Sequence, residues 1–143
     1  MSWDLIVLDW PADIQRFDDL PTDWQPTGDL GERSQIIAKT LALFPQAVGT
    51  ETSWVTILGD GWLIEMSLGD EARLSHIGLF VRGGDSVVAA LAALLDHLGF
   101  RALDLQTGDF FKPGPEAIAS FRAWKDFRDQ VSAAVDPEPP GQA

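Results

Sequence analysis

Residues 54–82 read WVTILGDGWLIEMSLGDEARLSHIGLFVR. Three apolar runs are separated here by Gly59-Asp60-Gly61 and Gly69-Asp70-Glu71. Asp-Gly between apolar runs is a hairpin signal. In the middle run Trp62, Ile64, Met66 and Leu68 alternate with Leu63, Glu65 and Ser67. That period of two places one set toward a core and the other away from it. The spacing predicts three strands, 54–58, 62–68 and 74–81, joined as an antiparallel meander. In the third, Ile77, Leu79 and Val81 share the inner face, and His76, Gly78, Phe80 and Arg82 the outer one.

Outward from the meander the period changes. On the C-terminal side Gly83-Gly84-Asp85 ends the strand, with Asp85 as N-cap of a helix. Val87, Leu91, Leu94 and Leu98 follow at helical spacing. Gly99 fits a left-handed C-terminal residue, with Phe100 folding back. A strand is predicted over 101–106, and Pro115 suits the first turn of a last helix buried along Ala117, Phe121, Trp124 and Val131. On the N-terminal side, 3–8 (WDLIVL) reads as a strand. Asp29, with Glu32 three residues on, reads as the cap of a helix ending before Pro45, with Ile37, Leu41 and Phe44 as its stripe. The order β-α-β-β-β-α-β-α predicts an α+β two-layer sandwich with its helices on one sheet face. A single domain over 1–135 is expected, with a disordered tail over 136–143.

Charge and composition narrow the function classes. The 143 residues carry 22 acidic and 10 basic side chains, a net charge of −12. A surface of that sign disfavours nucleic-acid phosphates. There is no cysteine, which removes disulfides and thiol catalysis. No signal peptide and no membrane-length apolar run is read, so a cytoplasmic address is expected.

The excess charge is uneven. Residues 1–31 hold seven Asp against one Arg, half the net total. Most lies in 10–29, WPADIQRFDDLPTDWQPTGD, broken by three prolines. Here Trp10, Phe17 and Trp24 interleave with Asp13, Asp18, Asp19, Asp23 and Asp29. Irregular loops of this length are uncommon in compact domains and are often functional. One reading staples the aromatics to the core and leaves the carboxylates as turn formers. The other makes the segment a recognition surface steering a basic partner, as in an immunity-type or inhibitor protein. Both can hold at once. The residues named for partner binding are Trp10, Asp13, Phe17, Asp18, Asp19, Asp23 and Trp24.

A second candidate is the outer meander face. Glu65, His76, Phe80 and Arg82 are expected there, with His76 opposite or diagonal to Glu65. Such a group would suit a small-ligand site or an enzyme. The same face, through Trp54, Leu63 and Phe80, could instead join two copies as a homodimer. Ser75 and His76, as strand neighbours, should point to opposite faces and form no nucleophile–base pair. His97 is read as a surface residue in a helix's last turn. No metal-ligand spacing, cofactor motif or P-loop occurs.

The stretches DGWLIEMSLGD (60–70), VRGGD (81–85) and LGFRALDLQTGDFF (98–111), with Trp10-Pro11-Ala12-Asp13, resemble a group of small uncharacterised bacterial proteins. The resemblance covers residues 1–112 and implies a compact bacterial domain. In fold alone, the element order resembles a ferredoxin-like arrangement with an added strand.

Overall fold

The computed structural model describes residues 2–49 and 53–135, with backbone only for 132–135. The expected tail over 136–143 lies outside the described residues. Five strands form one antiparallel sheet: β1 (Trp3–Leu8), β2 (Trp54–Leu58), β3 (Trp62–Ser67), β4 (Ile77–Gly83) and β5 (Arg101–Asp104). Their spatial order is β2-β3-β4-β1-β5. Three helices complete the fold: α1 (Arg33–Leu43), α2 (Ser86–Leu98) and α3 (Pro115–Val135). The meander is β2-β3-β4, as its turns predict. The chain then crosses through α2 and returns as β5 on the far side of β1, a split βαβ unit.

Alternation sorts the sheet into two faces. Trp3, Leu5 and Val7 of β1 point to the helices and pair in register with Val81, Leu79 and Ile77 of β4. They join Ile57, Ile64 and Met66 of the meander in one core, closed by Leu91 and Leu94 of α2 and Phe121 and Trp124 of α3. Each of these is at least nine-tenths buried. At about 25 cal/mol per Å² of apolar surface, that burial is the main force holding the layers together. α2 ends as its sequence predicts: Gly99 is left-handed at φ 74°, and the N–H of Phe100 reaches the carbonyl of Leu95 at 3.1 Å.

Gly83 sits where β4 leaves the sheet, at φ 118°, and a Cβ there would lie 2.4 Å from the carbonyl oxygen of Gly61. Gly83→Ala should therefore cost about 2–3 kcal/mol, read as a lower denaturant midpoint with an unchanged slope.

Strand β5 ends at Asp104, not at Gln106, because the chain turns over 105–107. The boundaries of α1 and β4 also differ from expectation, and one contact explains both. Helix α1 begins at Arg33, not just after Asp29. The chain before it is extended and pairs with the segment before β4. Leu30 N–H donates to Leu74 at 2.6 Å, and Leu74 N–H to Gly31 at 2.8 Å. Asp29 is consumed there: it accepts the Gly31 N–H at 3.0 Å and binds the Arg73 guanidinium at 3.0–3.2 Å. Strand β4 correspondingly starts at Ile77 rather than at Leu74. The buried stripe of α1 is shifted too. Ile36, Ile37 and Thr40 are buried, while Leu41 and Phe44 are only half-buried. Thr40 fits an apolar layer because its hydroxyl donates to the Ile36 carbonyl at 2.8 Å. At the start of α2, Asp85 is the N-cap residue but its carboxylate makes no cap bond; it binds Arg122 of α3 at 2.7 Å.

These ion pairs set a pH dependence. The Arg73 guanidinium and the Gly31 N–H hold the Asp29 carboxyl below its ordinary 3.8, and Arg122 does the same for Asp85. A carboxyl whose folded pKa is depressed contributes stability above its unfolded pKa and loses it as pH falls through the folded value. The melting temperature should fall as pH drops below about 4. Arg73→Ala and Arg122→Ala should each make that fall shallower.

Candidate functional site: an acidic aromatic groove

Helices cover only one face of the sheet. On the other, Ile6 and Leu8 of β1 and Leu103 of β5 would be left wet. The segment 9–29 folds back over them. Trp10, Ile14, Leu103 and Phe110 form a second buried cluster, with Ile6, Leu8, Leu20 and Trp24 packed on it. Trp10 is its hub. It stacks on Trp24 (centroids 5.4 Å apart, planes at 16°) and meets Phe110 edge-on at 5.3 Å. Its indole N–H donates to the Ile6 carbonyl at 3.2 Å. The prolines prevent this segment from extending the sheet, so it crosses the sheet instead.

Arg101, which sequence reasoning missed, clamps the segment from below. Its guanidinium lies 4.1 Å from the Phe110 ring centre and donates to the carbonyls of Pro11 and Ile14, the latter at 2.8 Å. Burial lowers its pKa from the ordinary 12.5, and the field of Asp13 opposes that shift. A lone cation at the start of the strand predicted over 101–106 is the only signal in the sequence. A second clamp joins Arg16 to Asp109 by an ion pair, and Phe17 N–H to the Gly108 carbonyl at 3.0 Å.

The carboxylates divide by what they bond. Asp19 caps the turn Phe17–Asp19, accepting N–H groups of Gln15 and Arg16 at 3.1 and 3.0 Å. Asp9 accepts the Thr27 N–H at 2.7 Å. Burial raises its pKa, but the bonds from Thr27 outweigh that and the net shift is downward. Asp13, Asp18 and Asp23 are exposed and make no hydrogen bond or ion pair among the described residues. The staple reading thus describes Trp10, Trp24, Asp9, Asp19 and Asp29. It leaves Phe17, half exposed at 50%, and the carboxylates of Asp18 and Asp23 without a structural task, whereas Asp13 lends its field to Arg101.

What these residues surround is concave. A groove of about 440 Å³ is lined by Trp10, Phe17, Leu20, Pro21 and Trp24, with Asp18 at its edge. Apart from Thr22 its walls are apolar or aromatic, and the one charged residue in its lining, Asp18, is negative. Such a site can seat an apolar side chain while the rim holds cations beside it. No family model, curated protein or solved structure matches this chain.

The outer meander face is assembled only in part. Glu65 pairs in register with Phe80 and Thr56, and its carboxylate binds Arg82 at 2.9 Å. Phe80 lies over Gly78 and beside Trp54, at 5.6 Å. His76 is not part of this face. It precedes β4 in an exposed bend, because the chain there pairs with residues 30–31 instead of β3. Being off the strand also brings Ser75 and His76 together, against expectation, with Oγ and Nδ1 3.0 Å apart. Both are exposed, and neither contacts a carboxylate among the described residues. His97 is exposed in the last turn of α2. Among the described residues no group of three or more His, Asp or Glu could hold a metal ion, and no helix is long and apolar enough to cross a membrane.

Proposed function

We propose that this chain is a protein-interaction module whose groove over residues 10–24 binds a basic segment of a protein partner. The partner inserts a large apolar side chain between Phe17, Leu20 and Trp24, and its flanking Lys or Arg residues meet Asp18 and Asp23. The observation that carries this reading is the pairing of an exposed aromatic groove with carboxylates that no cation among the described residues neutralises. The remaining negative charge would steer such a partner toward the chain. An inhibitor or immunity-type role against a basic enzyme is the form of this function the charge suits best.

Capture on the immobilised chain tests it. A basic protein should be retained at low salt, released near 0.5 M salt, where screening shortens to roughly 4 Å, and not retained by the double variant Asp18→Lys, Asp23→Lys. Equal retention by the variant contradicts the proposal.

A second reading has one observation of its own. Val48, Trp54 and Leu58 are exposed at 72%, 43% and 66% along the β2 edge, beside Phe80. Within the meander strands of this outer face Glu65 and Arg82 neutralise each other, and Asp4, in register with Phe80, adds one negative charge at its border. Two copies would therefore meet here with less repulsion than elsewhere on so acidic a chain. Light scattering on wild type and Trp54→Glu would distinguish dimer from monomer.

A further inference from the structure

We propose that a second cavity, at the sheet edge by the end of β5 and lined from both α3 and the segment 9–29, binds a small organic ammonium ion. The cavity holds about 390 Å³, within the range of small-molecule sites. It lies between the N-terminal turns of α3 and the segment after β5, walled by Trp3, Phe110 and Phe111. Asp104 belongs to its lining and is only 3% exposed, the one buried acidic side chain among the described residues.

The bonds to Asp104 all come from neutral groups. Trp3 donates its indole N–H to Oδ2 at 2.9 Å, and Gln106 its backbone N–H to Oδ1 at 2.9 Å. No cation touches it among the described residues. Buried carboxylates are ordinarily paired, since desolvating one charge alone is costly. The nearby cation Arg16 is already committed to Asp109. Gln15, Glu116 and Ser120 also line the cavity, and their side chains bond nothing among the described residues. A protonated amine supplies the missing counter-charge. The aromatic walls favour a cation on an apolar body, and Glu116, Gln15 and Ser120 give its N–H groups further acceptors. Lys112, at the same rim, disfavours a second positive charge on the ligand.

The reporter is built in, because the Trp3 indole N–H bonds the carboxylate in question. Its NMR signal should move on titration with 2-phenylethylamine. The isosteric alcohol, 2-phenylethanol, should bind about 10- to 100-fold more weakly, the range of a charge-assisted hydrogen bond. Asp104→Asn should abolish the preference for the amine. As that variant could also loosen the fold, Ser120→Trp, which blocks the cavity and leaves Asp104 intact, should abolish binding independently. Asp18→Lys, in the other groove, should leave it unchanged. An unmoved Trp3 signal, equal binding of amine and alcohol, or full binding by Ser120→Trp overturns the proposal.

Discussion

Trp10→Ala is expected to destabilise the chain by about 3–5 kcal/mol, the cost of deleting a buried Trp. Three contacts go together: the stack on Trp24, the edge contact with Phe110, and the N–H bond to Ile6. The segment 9–29 has few other apolar anchors, since Ile14 is its only other side chain at least nine-tenths buried. The variant should thus free this segment while the helix-side core persists. Amide exchange would show it, with protection lost over 9–29 and across the β1–β5 pairing and retained in β3 and β4. Phe17→Ala is the control. Its ring is half exposed, so stability should change by less than about 1 kcal/mol, yet partner binding should fall. Equal losses of stability in both variants would mean that Phe17 is a staple too.

The largest effect on binding is expected from reversing Asp18, which lines the groove, and Asp23, which stands in sequence between its lining residues Thr22 and Trp24. Asp18→Lys with Asp23→Lys should slow association with a basic partner about tenfold or more at low salt. Dissociation should change less, and the gap between wild type and variant should close as salt rises. Asp19→Lys is a different experiment, because Asp19 holds the N–H groups of Gln15 and Arg16. It should lower stability instead. Rapid-mixing kinetics over a salt series separate these outcomes. An association rate unchanged by the double reversal would rule out electrostatic steering.

The strands and helices were legible because their causes are local. Alternation in 62–67, the Asp60-Gly61 turn and the Gly99 cap each act within a few residues, and each stands where the sequence predicts. What was not legible depends on long-range pairing. Asp29 has the right type and spacing for an N-cap, but Arg73, 44 positions away, competes for it. The register of β3 on β4 sets Glu65 opposite Phe80, four positions past His76, so His76 never faces Glu65. The candidate site was half legible. Sequence pattern singled out the aromatic and acidic residues of 10–24, but not which carboxylates remain free. That depends on Arg16, Thr27 and Arg73, and on Arg101 arriving from β5. Asp104 drew no notice either, because no local pattern marks a charge that becomes buried only when α3 packs over β5.

The most direct test of the groove as a recognition site is a selection of displayed random peptides on the immobilised chain, with Phe17→Ala as counter-selection. Enriched peptides should share a large apolar residue flanked by Lys or Arg. They should bind more weakly as salt rises and lose affinity for both Phe17→Ala and the Asp18/Asp23 reversal. Peptides without positive charge, or peptides that bind wild type and both variants alike, would contradict a recognition role for the groove.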